Sequence, residues 1–445
     1  MRTLAGLLLL VLSVAACSDA VPRSAESVFP FETRHLVLDN GLHAYLIRAG
    51  APGEVAFVSN VRTGSRDEVE EGRTGYAHFF EHMMFRGTEK YPDYDEATSS
   101  IGAARNAFTS NDATVYYLVA SSEYLDKIID LEADRFQNLL YSESDFRTEA
   151  GAILGEYQQG ALTPGTYMDR ELRLAAWERH TYRHQTIGFE ADVRGMPEGY
   201  EYSLSFFHRF YRPENVVLVI AGDFDFGAAE RMIREHYGGW EPGYVPPAVE
   251  SEPEQTAARD ILVRFPGGTL PVMSVNYKGP AWSATDPLAV ATQVLGAVAF
   301  GSNSDLYRKL VLQERRVQSL GAGFGLPRDP GLLTIQTMVN SPADIEPIQA
   351  EIRATVERFQ EERVDEELLA DTKSNMKYGF LMGLETAQDV AFSLISFIIN
   401  TGGIQAVDEY YATLDRVTPE DIREAARTYL NEDRRTTAVM IQAEG

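Results

Sequence analysis

The sequence predicts an α+β protein made of two similar domains. Three observations carry that expectation. At 445 residues the chain exceeds what one hydrophobic core usually serves, so two domains of around 200 residues are expected. Residues 241–260 divide it, because Pro242, Gly243, Pro246, Pro247 and Pro253 leave little room for helix or strand. Near the end of each half stands an apolar, extended run, Asn215–Ala221 (NVVLVIA) in the first and Thr437–Gln442 in the second, which suits a buried strand.

The elements follow one another in a similar order in both halves. Residues 35–48 read as a hairpin around Asp39-Asn40-Gly41, and 54–62 as a further strand. A helical pattern covers 74–86. Two β-rich runs follow within Asn106–Ala120, separated by the turn pair Asn111-Asp112, and then helical patterns at 123–140 and 144–160. Beyond the divide, strands are expected at 261–265 and 272–277, helices at 286–298 and 304–313, a strand at 333–339, and helices at 343–360 and 366–380. The repeated alternation points to a duplicated α+β unit.

Charge excludes one class of partner. With 66 acidic and 40 basic residues the net charge is −26, a surface that repels phosphate backbones, so nucleic acid is not an expected partner. Arg2 precedes an apolar run, Leu4–Ala16, that falls short of the ~20 residues needed to span a bilayer. Residues 1–16 therefore read as an export signal. The run ends Ser13-Val14-Ala15-Ala16-Cys17, which resembles a bacterial lipobox, where the cysteine is acylated and becomes the mature N-terminus. Cys17 is the chain's one cysteine, so no disulfide is expected and lipid attachment is. Residues 17–30 are small and polar, a tether. The expected location is the periplasmic face of a bacterial envelope membrane.

The chemistry starts at His78-Phe79-Phe80-Glu81-His82. On a helix, at about 100° per residue, both histidines and Glu81 share one face. Neutral imidazoles are good zinc ligands, and a carboxylate one place before the second histidine can reach an attacking water without ligating the metal. A catalytic zinc also needs a third protein ligand and an open position. Glu149 and Glu156, seven residues or two turns apart, lie on one face of the helix expected at 144–160, and their spacing alone leaves both open for that role. His180 and His184 also stand four apart, but their surroundings read as a loop and no metal role is expected of them.

The segment from Gly75 to Thr88 closely resembles the active-site helix of the pitrilysin/insulinase family, particularly its short-subunit branch, which includes the mitochondrial processing peptidase. Further matches are Asn106-Ala107-Phe108-Thr109 with Asp112–Tyr116, similar to the family's substrate-binding edge strand, and Glu149–Glu156, similar to its paired-glutamate helix. Asn215–Asp223 and residues 366–385 extend the resemblance, which spans 31–445. It implies two duplicated α/β domains, each a mainly antiparallel sheet packed with helices, together forming half of a clam-like chamber. The first, 31–240, would carry catalysis, and the second, 261–445, would line the chamber. It implies a zinc metalloendopeptidase acting on peptides or small unfolded polypeptides, with one Zn2+ per chain on His78, His82 and Glu156. Glu81 would be the general base, and Glu149 a carboxylate that orients the site. Asn106, Ala107, Phe108 and Thr109 would pair with an extended substrate.

One departure concerns partners. Active members carry an arginine and a tyrosine in a pattern resembling S-x-L-x-x-x-L-R…G-x-x-Y. Here Ser304–Leu310 matches its start, but Val311 stands where the arginine is expected and Ser319 near the tyrosine's place. The resemblance then implies the catalytic subunit of a heterodimer whose homologous partner carries the arginine and tyrosine and lacks HxxEH. A homodimer is the alternative. The rival function is a non-catalytic assembly subunit of an envelope complex, which would have no physical need for Glu81.

Overall fold

The computed structural model describes residues 27–325 and 327–443, so Cys17, the export signal and most of the tether lie outside the described residues. The strands are β1 Glu32–Val37, β2 His43–Arg48, β3 Glu54–Val61, β4 Ala104–Thr109, β5 Thr114–Ser121, β6 Val216–Gly222, β7 Arg259–Phe265, β8 Val272–Lys278, β9 Val317–Phe324, β10 Leu332–Val339 and β11 Arg435–Gln442. They form two sheets. The first has the order β1-β2-β6-β3-β5-β4, with β2 and β6 parallel and every other neighbouring pair antiparallel. The second runs β7-β11-β8-β10-β9, with β7 and β11 parallel and the rest antiparallel. Without β1, the two orders correspond strand for strand, parallel pair included. The fold is α+β with a duplicated unit, as the alternation of elements predicts.

The edge strand β1 is an addition to the repeat, made by the hairpin that the sequence announces. Gly41 turns it at φ +87°, and a Cβ there would stand 2.7 Å from Glu214 Cγ. Asn40 secures the turn by donating to the carbonyls of Tyr237 (2.8 Å) and Trp240 (2.9 Å). At the sheet's centre β6 is buried at every position, as its unbroken apolar run requires of a strand covered on both faces.

The two covers of that sheet come from different halves. On one face lie helices of the first half, including Tyr76–Met83, Leu125–Asn138 and Glu143–Gly160. On the other, the helices Ala387–Ser393 and Ile395–Thr401 bring Ala387, Val390, Ala391 and Ile398 into one core with Ala56, Val58, Val217 and Val219. The exchange is returned. Helix Pro164–Ala176 of the first half packs Met168, Leu172 and Ala176 with Val263, Phe265, Val272, Ala438 and Met440 of the second sheet. In each half the exchanged segment directly follows a long helix, Glu143–Gly160 or Glu366–Met382, so the exchange belongs to the repeat itself. Residues 241–258 carry neither helix nor strand, yet the packing does not divide there.

One expected element differs, and several observed ones were not expected. The helix read at 304–313 is one α-turn, Asp305–Tyr307, followed by wider π-type turns over Arg308–Gln313. It ends at Gln313 with Glu314 as its cap, and Arg315 follows with a φ of +53°, the one positive value at a non-glycine among the described residues. The helices Pro164–Ala176, Tyr200–Phe210, Phe226–Tyr237, Ala387–Ser393, Ala406–Arg416 and Pro419–Tyr429 have no counterpart in the sequence reading. Neither has strand β9, because Gly321 and Gly323 break any alternation and it lies at a sheet edge with three of its eight residues exposed.

Candidate active site

The HxxEH helix, Tyr76–Met83, is short and held from all sides. Gly75 starts it at φ +92°, where a Cβ would meet the Ile187 carbonyl oxygen at 2.5 Å. Phe79 lies 4.9 Å from the Phe146 ring, and Phe80 stacks on Phe206 at 5.3 Å, so the helix's apolar side is wedged into an aromatic core. Glu68 closes its N-terminus. One carboxylate oxygen accepts from Gly75 N–H at 2.8 Å and the other from Ala77 N–H at 2.7 Å. Burial pushes the Glu68 carboxyl up to about 8. Sequence reasoning missed this residue, which is one acid in the run Asp67-Glu68-Val69-Glu70-Glu71 with no spacing to single it out.

With that side anchored, His78 and His82 project together, their ring centres 4.8 Å apart. Glu156, from helix Glu143–Gly160, meets both: Oε1 lies 3.6 Å from His78 Nε2, and Oε2 lies 3.6 Å from His82 Nε2. One ligand atom from each of the three residues falls within 4.8 Å of the others. Ligands about 2.0–2.2 Å from a tetrahedral zinc stand roughly 3.3 Å apart, so this donor set fits a zinc ion with little adjustment and leaves a fourth position open. The Glu156 side chain is 49% exposed whereas that of His78 is 11% exposed, so the cluster lies where the protein meets solvent.

Glu149 stands behind the cluster. It accepts a hydrogen bond from His82 Nδ1 at 2.9 Å and pairs with the Arg86 guanidinium. A proton on Nδ1 leaves Nε2 with a free lone pair on the side of Glu156. The same hydrogen bond raises His82 above its ordinary pKa and holds Glu149 below its own. Burial, with His82 adjacent, lowers His78 to about 4, so it is neutral and able to ligate at pH 7.

Glu81 joins this helix to the sheet edge. Its Oε2 accepts from Thr109 Oγ1 at 2.6 Å, and burial raises its carboxyl pKa. Thr109 ends β4, which pairs with β5 on one side and is the outermost strand of the sheet among the described residues. Along β4, Ala107 faces the helix-side core with Thr109, while Phe108 turns to the other face, 6.3 Å from the Phe392 ring. Asn106 is exposed on that strand. His180 and His184 do not form a pair: His180 Nε2 lies 2.9 Å from Asp329, and His184 Nδ1 bonds the Gln185 carbonyl at 2.9 Å. Val311 packs against the second half's core and Ser319 is exposed on β9, the counterpart of β4.

Comparison with known proteins bears on the family and the fold. The family model described as "Insulinase (Peptidase family M16)" matches residues 54–189, and the one described as "Peptidase M16 inactive domain" matches 200–376. The chain is 25% identical over 426 residues to the zinc protease PqqE of Helicobacter pylori, covering 94% of each. It is also 25% identical over 414 residues to the bovine mitochondrial-processing peptidase subunit beta, covering 90% of this chain and 82% of that one. A crystal structure of a protease from Helicobacter pylori shares the fold with a TM-score of 0.85 at 24% identity, over 92% of this chain and 99% of that one. The periplasmic protease PqqL from Escherichia coli matches with a TM-score of 0.76 at 19% identity, over 95% of this chain but 48% of its own. From these matches, which together take in both halves, the chain belongs to the pitrilysin/insulinase family of peptidases, M16, in its short-subunit branch.

Proposed function

We propose that this chain is a zinc metalloendopeptidase for peptides and small unfolded polypeptides, with His78, His82 and Glu156 as ligands and Glu81 as the general base. The observation that carries this is the meeting of three metal-ligating side chains with a buried carboxylate, Glu81, which is itself tied to the edge strand β4. A zinc ion in that donor set supplies Lewis acidity toward a carbonyl oxygen and toward water.

The protein's own groups do the rest. Glu149 keeps His82 in the tautomer whose Nε2 faces Glu156. Thr109 occupies one oxygen of Glu81, leaving the other to take a proton from the attacking water and deliver it to the leaving amide nitrogen. Burial makes Glu81 a stronger base than an exposed glutamate. An extended peptide adds along Asn106–Thr109, where backbone hydrogen bonds hold it with little regard for sequence. Its scissile bond lies at the Thr109 end, within reach of Glu81. Folded proteins cannot offer such a strand, which limits substrates to short or unfolded chains.

The proposal includes a homologous second subunit that carries the arginine and tyrosine and lacks HxxEH. Val311 at the arginine's place supports it, as does the match to 48% of PqqL, a chain about twice as long. A homodimer is the alternative. It also includes a lipid anchor at Cys17 on the periplasmic side of the envelope, which Cys17→Ser should abolish, moving the protein from the membrane to the soluble fraction.

The test is cleavage of an unstructured, quenched peptide by zinc-loaded protein from residue 18, alone and with the homologous subunit. Chelator-sensitive cleavage that Glu81→Gln removes while zinc stays bound is the expected result. Zinc bound without cleavage, alone and with that subunit, would replace this reading with the non-catalytic assembly subunit.

A further inference from the structure

Directly beside Glu156 opens a cavity of about 360 Å3 that the mechanism above does not use. It lies between the end of helix Glu143–Gly160, the start of helix Pro164–Ala176 and the loop at Gln185, with Tyr157, Thr163, Thr166 and Arg170 in its wall. At ~30 Å3 per water it has room for about a dozen waters, so it takes any side chain and discriminates by chemistry rather than size.

That chemistry is one-sided. Arg170 is the one cation in the wall, and Glu156 the one acid. The guanidinium is fixed in place: its face lies 4.6 Å over the Tyr167 ring, and Nε and Nη2 each donate to Glu171 at 3.1 Å. Among the described residues Nη1 reaches only the Tyr157 hydroxyl, at 3.4 Å, beyond the usual length for such a bond, which leaves that nitrogen available to an incoming acceptor. Hydroxyls of Tyr157, Thr163 and Thr166 add further donors. A substrate carboxylate entering here meets one charged donor and several neutral ones. A substrate ammonium meets Arg170 and no free acid, because Glu156 is committed to the cluster with His78 and His82.

We propose that this cavity is a side-chain subsite next to the scissile bond that selects glutamate or aspartate, with Arg170 as the specificity-determining residue. The inference rests on the peptidase reading above. It runs against the chain's overall charge of −26, which by itself would favour cationic peptides, so the two effects are separable.

The test uses unstructured peptides identical except for Glu, Gln or Lys placed in turn at the positions flanking the cleaved bond, competed in one mixture and read by mass spectrometry as kcat/KM ratios. At one position within two of that bond the enzyme should favour Glu over Lys about tenfold, the scale of one charge-assisted hydrogen bond. Arg170→Glu should reverse the order, and Arg170→Gln, a milder change beside Glu171, should flatten it. Binding of labelled peptides to Glu81→Gln protein, read by fluorescence anisotropy, should give the same ranking. Chelator-sensitive cleavage with one ranking in wild type, Arg170→Gln and Arg170→Glu would overturn the subsite and leave the peptidase reading standing. No cleavage at all, alone and with the homologous subunit, would overturn the peptidase reading, and the anisotropy ranking would then decide on the cavity alone.

Discussion

Glu149 accepts from His82 Nδ1 at 2.9 Å, while Glu156, two helical turns on, faces Nε2 of the same ring at 3.6 Å. One imidazole thus sorts two carboxylates that the sequence presents as equals. Their removal should have different consequences. Glu156→Gln takes away the proposed third ligand, so zinc content measured after gel filtration should fall from about one per chain to near zero. Glu149→Gln leaves the ligand set whole and should cost about 10–100-fold in zinc affinity or activity. Zinc retained in Glu156→Gln but lost in Glu149→Gln would exchange the two roles.

Glu81→Gln preserves shape and removes the proposed base. The expected loss in kcat is roughly 10²–10⁴, with zinc content and melting temperature unchanged. Thr109→Val removes the hydroxyl that holds Glu81 and should reduce kcat by a smaller factor, about tenfold, the scale of one hydrogen bond to a charged group. Equal losses in both variants would mean that Glu81 acts by position alone.

Metal retention should fall with pH, and His82 sets where the fall begins. Protons compete with the metal first at the more basic ligand, and the hydrogen bond to Glu149 raises His82, whereas burial holds His78 down at about 4. The apparent zinc affinity, measured by competition with a chelator from pH 8 to pH 4, should therefore start to weaken above the ordinary histidine value of about 6.5, with zinc content following at lower pH. In Glu149→Gln the onset should move to lower pH, because the group that raises His82 is gone.

The carboxyl of Glu68 gives the metal-free protein a pH dependence of opposite sense to that of ordinary acids. Its folded pKa of about 8 lies above the unfolded value near 4.3, so between those values the folded state holds the proton that the unfolded state has lost. Stability from this group is complete below the unfolded pKa and is lost as pH rises toward 8, at up to about 1.4 kcal/mol per pH unit. His82, also raised, contributes in the same direction. The decisive quantity is therefore a difference: from pH 7 to 8.5, denaturant unfolding of Glu68→Gln should show a flatter decline than wild type. Parallel slopes would mean that Glu68 is ionised in the folded protein.

What the sequence made legible is what short-range pattern encodes. The apolar run of β6, the Asp39-Asn40-Gly41 hairpin and the HxxEH face are written in neighbouring residues, where periods of 2 and 3.6 and turn chemistry act directly. The cap at Glu68 is invisible at that range, because its partners Gly75 and Ala77 come close only after the chain turns back. The exchange of helices is harder still. Pro164–Ala176 has an apolar face carrying Met168, Leu172 and Ala176, which reveals that something is covered but not that the covered surface is β7, β8 and β11, roughly a hundred residues or more away. Strand β9 escapes because its glycines carry no side-chain pattern at all.

That exchange makes a final prediction. Each sheet lends a face to a helix of the other half, so neither half can bury its own apolar surface alone, and unfolding one must expose the other. Thermal unfolding should be a single transition despite the chain's length, with the calorimetric and van't Hoff enthalpies in agreement. Val390 is fully buried among residues of the first sheet although it belongs to the second half, and Val390→Ala should cost about 1–3 kcal/mol. Hydrogen exchange locates the effect: protection should fall together in β6 and β11, although Val390 packs near only one of them. If β6 alone loses protection, or if two separate transitions emerge, the halves are joined without being coupled. A fragment of residues 31–240 would then fold by itself, whereas coupling requires it to aggregate through the uncovered face of Ala56, Val58, Val217 and Val219.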